Sequence, residues 1–207
     1  MKRKQNKKAL TLLVCLVVLI AATVGGTLAY LMISTQSVKN EFTPARVSCD
    51  VQETFNKDNL VKSNVQIRNT GNADAYIRAM EVITWKNDNG EVYATVPQPN
   101  TDYVVEWNLT ENGWVKGDDG FYYYTKEVRP CTHVGDQRHS GCMTEVLISS
   151  CSPVSGKAPA EYYLSVEIVA SAIQSAPDSV VGKEWSNTKV SVTATDGALT
   201  VKNNQGG

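Results

Sequence analysis

EYYLSVEIVASAIQS, residues Glu161–Ser175, is the stretch from which the fold can be read. Leu164, Val166, Ile168, Ala170 and Ala172 alternate with Ser165, Glu167 and Ser171. A period of two puts the apolar set on one face only if the chain is extended, so one face is expected to be core and the other solvent. Working outward, the same period recurs. Lys189–Thr195 and Ala198–Lys202 read as a hairpin closed by Asp196-Gly197, a dipeptide suited to positive φ. Ala176–Trp185 is the one helical candidate, opened by Pro177 where a missing N–H costs nothing. Toward the N-terminus, Arg46–Phe55 alternates around Val47, Cys49 and Val51, and Val61–Asn69 puts Val65 and Ile67 on one face. Ala75–Trp85 sets Ile77, Ile83 and Trp85 opposite Arg78. Asn87–Gly90 leads into Glu91–Val96 as a further hairpin, and turns at Glu111–Gly113 and Asp118–Gly120 bracket Trp114–Lys116 and precede Phe121–Tyr124. Met143–Ser149 also reads as extended. Roughly ten short strands, with turn signals every 8–12 residues or so, give an all-β chain built as a sandwich or jelly roll.

The first 29 residues read differently. Lys2, Arg3, Lys4, Lys7 and Lys8 precede an uncharged run rich in Leu, Val, Ile and Ala, the pattern of an export signal with its basic end on the inside. Thr27 and Ala29 place small side chains at −3 and −1, so cleavage is expected between Ala29 and Tyr30, within a residue or two. The competing reading is a retained anchor, because the uncharged stretch continues to Val38 and roughly 20 apolar residues span a bilayer. Residues 30–45 then form an N-terminal extension, 46–202 the β-sandwich domain, and 203–207 a polar tail expected to be disordered and lacking an LPxTG anchor sequence.

The whole chain has 20 Lys+Arg and 21 Asp+Glu; without residues 1–29, which hold five bases and no acid, 15 stand against 21, a net −6. That surface is a poor match for nucleic acid, and membrane contact is expected only through the signal segment. The remaining 178 residues suit one domain. Cys15 leaves with the signal, and Cys49, Cys131, Cys142 and Cys151 suit two disulfides with three possible connectivities. An extended Met143–Ser149 would hold Cys142 and Cys151 roughly 25–30 Å apart, too far for a bond that needs Cα atoms within about 7 Å. Cys131–Cys142 closing a loop and Cys49–Cys151 as a long-range staple is the expected pairing.

At this point the chain resembles a family. Gly25-Gly-Thr-Leu-Ala-Tyr30 is similar to the end of signal peptides handled by the SipW-type signal peptidase. Asn40-Glu-Phe-Thr-Pro-Ala-Arg-Val47 resembles the N-x-F-T-x-G-x-V/L segment leading to the first strand of its clients, with Ala45 or Arg46 where glycine is common. Val65–Arg78 is similar to their strand–turn–strand, in which V-x-N-x-G precedes Y-V/I-R. Ser165–Gln174, followed by Trp185, resembles their penultimate strand. The resemblance is to the TasA–camelysin family and runs from about residue 25 to residue 201. It implies a jelly-roll-like antiparallel sandwich in a secreted subunit of an extracellular matrix or surface fibre, such as a biofilm, of a Gram-positive bacterium. It also implies a SipW-type peptidase as partner, a homo-oligomer or fibre as product, and growth by strand exchange. The donor would be Tyr30–Phe42, whose Leu31, Met32, Ile33 and Val38 are too apolar for a free soluble tail and can add to an unpaired sheet edge. Alternatives are a monomeric adhesin or carbohydrate-binding module and a camelysin-like peptidase.

No catalytic, cofactor or metal residue is assigned, and no enzyme is expected. H-E-x-x-H, G-x-S-x-G and a Gly-rich phosphate loop are all missing from the sequence. Cys131-Thr-His133-Val-Gly-Asp136-Gln-Arg-His139-Ser-Gly-Cys142 reads as a disulfide-closed loop, with a zinc site as the alternative. Trp107, Trp114, Phe121, Tyr122, Tyr123 and Tyr124 read as core packing, with a platform for a matrix polysaccharide as the alternative. Asp118-Asp-Gly120 reads as a turn, not a calcium loop.

Overall fold

A computed structural model describes residues 11–16, 45–131 and 141–204. Ala29, Tyr30, the donor-strand candidates Leu31, Met32, Ile33 and Val38, and the loop histidines lie outside the described residues. Residues 11–16 are helical and exposed; no described helix is long and apolar enough to cross a membrane.

Residues 45–131 and 141–204 build an antiparallel β-sandwich. Its strands are β1 (Cys49–Asn56), β2 (Val61–Asn69), β3 (Ala75–Lys86), β4 (Tyr103–Trp107), β5 (Trp114–Lys116), β6 (Tyr122–Tyr124), β7 (Ile148–Pro153), β8 (Tyr163–Gln174), β9 (Val190–Thr195) and β10 (Ala198–Asn203). One sheet runs β1-β2-β7-β4, the facing sheet β5-β6-β3-β8, and β9 and β10 pair separately. The chain changes sheet at six of its nine strand-to-strand steps, which gives the sandwich its jelly-roll-like character. Period-two alternation makes the core: Val65 and Ile67 of β2, Ile77, Ala79 and Trp85 of β3, Trp114 of β5, Tyr122 and Tyr124 of β6, and Ile148 of β7 meet between the sheets.

The other face of the second sheet is covered too. Tyr76 and Tyr123 point away from the sandwich core into a second cluster with Val181 and Trp185 of the helix α1 (Ser179–Trp185), Val190 and Val192 of β9, and Leu199 of β10. Arg78 shares that face, its guanidinium 4.1 Å from the Phe121 ring centroid and 4.8 Å from that of Trp185. The closing hairpin and α1 thus make a third layer. Asp196 and Gly197 at its tip have φ of 51° and 76°, as a tight two-residue loop requires.

Four expectations change. The helix starts at Ser179 rather than Ala176, because Ser175 still donates to the Asp74 carbonyl and Pro177 precedes the first turn. Glu91–Val96 is not a strand: Val92 bridges Lys86 and Tyr93 N donates to Trp85 O. The Tyr93 ring then packs on Tyr162, and Pro97 and Pro99 supply no N–H to continue a ladder. The outer face of β8 is not wholly solvent, since Ile173 packs into the third layer. Finally, β10 reaches Asn203, and Asn204 N donates to Lys189 O at 2.7 Å, so the ordered chain runs past Lys202.

Candidate functional site

Two places concentrate the chain's unusual residues: the turn after β2 and the open side of the sandwich between β1 and β8.

Asn69 is fully buried at the end of β2. Its amide donates to Ala73 O at 2.9 Å and Val128 O at 2.8 Å, while its side-chain oxygen accepts from Gly71 N at 2.9 Å. A buried polar side chain is tolerated only when satisfied in this way. The turn so formed receives the chain that enters the sandwich. Thr70 N donates to Ser48 O and Asn72 N to Arg46 O, both at 2.9 Å, and Arg46 N donates to Asn72 Oδ1 at 2.6 Å. A Cβ on Gly71 would lie 2.3 Å from Arg46 O, so glycine is required for this approach. The N-x-G of the sequence is thus a docking device for the segment that follows the extension.

Cys131 and Cys142 are disulfide-bonded, as expected, with Cα atoms 5.1 Å apart. The expected Cys49–Cys151 staple does not form; both are free thiols. The sheet register gives the reason. Cys49 on β1 faces Asn69 of β2, whereas Cys151 on β7 faces Lys62 of β2. Seven positions along β2 place the two sulfurs two strands apart and displaced by roughly 23 Å along the strands, far beyond the Cα limit of about 7 Å. Burial pushes the Cys151 thiol up to about 11 and raises that of Cys49, to which Asp50 adds. Cys151 is an inert core cysteine, and Cys49 is half-buried with its reactivity reduced.

The second place is the seam between the edge strands. In the first sheet β1 is terminal, in the second β8, and among the described residues each is paired on one side only. Most core-facing residues of the inner strands are sealed, Ile83 excepted, but Cys49 and Val51 of β1, and Val166, Ile168, Ala170 and Ala172 of β8, are only partly buried. A cleft of about 740 Å³ opens here, lined by Glu53, Phe55, Leu60, Lys62, Tyr163 and Val166 among others. It continues as a shallower groove past Val51, Ile168 and Val169. Lys62 is 8 % exposed and its ammonium donates to Glu53 at 2.6 Å, so the one buried cation in the cleft is neutralised within it. Lys86 pairs with Glu167 on the outer face of β8 and holds that carboxyl below its usual range.

The remaining chemical readings find little support in the geometry. Trp114, Tyr122, Tyr123 and Tyr124 are 0–4 % exposed, so they form core rather than an open platform; Trp107 stacks on Tyr122 at 4.3 Å. Asp119 accepts from Tyr123 OH at 2.6 Å, from Asn187 Nδ2 at 3.1 Å and from Phe121 N at 3.3 Å, which makes it a turn and hairpin anchor. Among the described residues no group of three or more His, Cys, Asp or Glu is placed to hold a metal ion. The seam was not visible from sequence, because which strands are terminal depends on pairing order; its signal was the length of β8 without a matching neighbour after it. Comparison with protein families, with curated proteins and with solved structures gives no match.

Proposed function

We propose that this chain is a secreted structural subunit of an extracellular matrix or surface fibre, in which Tyr30–Phe42 of one copy adds as a strand to the β1–β8 seam of the next. The observation that carries the reading is the seam. Among the described residues β8 offers twelve residues of edge paired on one side only, beside a cleft of about 740 Å³, and its core-facing Val166, Ile168, Ala170 and Ala172 are incompletely covered. Such an edge extends roughly 40 Å at about 3.3 Å per residue, close to the length of the proposed donor Tyr30–Phe42. Unpaired N–H and C=O groups give affinity, and alternating side chains entering the cleft give register. Leu31, Met32, Ile33 and Val38 supply apolar groups for it. Use of one copy's strand by the next is head-to-tail and does not close, so it yields filaments.

The resemblance to SipW-dependent proteins supports the same reading and adds signal cleavage as the step that frees the extension. The test is deletion of residues 30–40 in the processed protein. The truncated chain is expected to keep its far-UV spectrum and melting cooperativity while losing concentration-dependent fibre growth, and a synthetic peptide of residues 30–42 is expected to cap fibres of the intact chain. Fibres of unchanged yield from the truncation overturn the proposal.

A further inference from the structure

The Asn69–Asn72 turn is held from two sides by segments far apart in the sequence. On one side lie Arg46 and Ser48, through the backbone bonds to Thr70 and Asn72. On the other, Asn69 N donates to Cys142 O at 3.0 Å and Cys131 N donates to Asn69 O at 3.1 Å. The two arms that make those bonds are joined to each other by Arg129 N to Gly141 O at 2.7 Å and by the Cys131–Cys142 bond. Val128, three residues before Cys131, accepts from the Asn69 amide. The disulfide therefore closes a clamp around Asn69, and Asn69 in turn shapes the turn that grips Arg46 and Ser48.

We infer that the Cys131–Cys142 bond is a redox lock on the segment through which the N-terminal extension joins the sandwich. Oxidised, the arms hold Asn69 and the turn keeps Arg46–Ser48 in place; reduced, the arms part and that segment is released while the sandwich persists. The chemistry is thiol–disulfide exchange with a dithiol reductant. Its thiolate attacks the sulfur of Cys131, the partly exposed partner, and buried Cys142 leaves as a thiolate. The second reductant thiol then displaces Cys131 from the mixed disulfide. The two cysteines gain two electrons and, on protonation, two protons, and the reductant departs as its own disulfide. Release stays local because the main core, built on Ile77, Ala79 and Trp85, takes nothing from the clamp beyond Val128, and proteins open in cooperative subregions of unequal stability.

The full chain, folded and oxidised, is treated with a dithiol, and amide hydrogen exchange is compared before and after; thiol counting verifies the gain of two thiols. Starting from folded protein avoids a variant that fails to fold, and C131S/C142S serves as a second arm. Closing a loop of this length restrains the chain by an amount equivalent to a factor on the order of a hundred. Exchange at the Thr70 and Asn72 amides is therefore expected to accelerate at least about tenfold, with Ile77, Ala79 and Trp85 unchanged. Unaltered exchange at Thr70 and Asn72 overturns the inference, as does equal acceleration throughout the sandwich, or a bond that the dithiol cannot reduce short of global unfolding. The readout is exchange at named amides and not fibre growth, so it stands or falls separately from the strand-exchange proposal.

Discussion

Replacing Asn69 with alanine tests how much of the sandwich depends on one buried amide. The substitution removes three hydrogen bonds at 2.8–2.9 Å from a site with no solvent exposure. Their loss is unequal. Ala73 O and Gly71 N lose the partner that the side chain gave them, whereas Val128 O keeps the donor from Ala75 N at 3.1 Å. Two orphaned groups at about 1 kcal/mol each, plus a smaller loss at the third, come to about 2–3 kcal/mol. For a domain of this size each kcal/mol moves Tm by about 2–4 °C, so N69A is expected to melt roughly 5–10 °C below the parent. Asn69→Asp keeps the acceptor for Gly71 N but loses both donors and buries a charge, so it is expected to be worse than alanine. Thermal unfolding of the oxidised protein, followed by far-UV circular dichroism, measures both. An N69A protein melting within about 1 °C of the parent refutes the assignment of Asn69 as the organising group of the turn.

Gly71→Ala drives a Cβ against the backbone oxygen of Arg46, which has no flexible end to move; overpacking of this kind costs about 1–3 kcal/mol. The variant is expected to be cut by trypsin after exposed Arg46 several-fold faster than the parent, and equal cutting rates count against the docking role. Alkylation of the processed chain at pH 8 is expected to label half-buried Cys49 slowly and Cys151 only after denaturant, since burial holds its thiol up at about 11; a mass deficit of a second disulfide contradicts the register argument. Burial also raises the Tyr76 and Tyr123 phenols to about 12, and Tyr122 further. A folded pKa above the unfolded value of about 10 means stability is complete below pH 10 and falls as pH rises toward 12. The share of the 295 nm absorbance rise that belongs to these three tyrosines should therefore come together with loss of far-UV signal, and its appearance near pH 10 with the fold intact would show they are not buried.

Strand positions were legible because each carries its own period. Val61–Asn69 is found as read, Ala75–Trp85 and Glu161–Ser175 within two residues at either end, and the Asp196-Gly197 hairpin at its tip. Pairing was not legible, because it is a property of two strands at once. That is why Cys131–Cys142, eleven residues apart, could be read from local spacing, while Cys49–Cys151 failed once β2 intervened with its own register. The third layer was hidden for a related reason. Arg78 read as lying opposite the apolar face of its strand and Tyr123 as core packing, and only the return of β9 and β10 shows that Tyr76, Arg78 and Tyr123 share a face buried under a third layer.

The same pairing order makes the protein asymmetric in how it treats its edges. At one side of the sandwich the terminal strands are short, five residues in β4 and three in β5, which limits what a stray strand can add to. At the other side β8 runs twelve residues, and Val169 is 49 % exposed. Its defence against pairing is slight: Glu167 is turned to Lys86 of its own sheet, and Lys62, the cation nearest the cleft floor, is spent on Glu53. The described residues cover both faces of one sheet with hydrophobic clusters yet leave its longest edge unblocked, so that edge is an exposed template unless a strand is supplied to it. An isolated, processed domain without residues 30–40 is therefore expected to be more prone to disordered aggregation at high concentration than the intact chain, and replacing Val169, on the open edge, with lysine is expected to suppress that aggregation while destabilising the fold by no more than about 1 kcal/mol. Aggregation that ignores V169K, measured by light scattering at matched concentration, would move the exposed template away from β8.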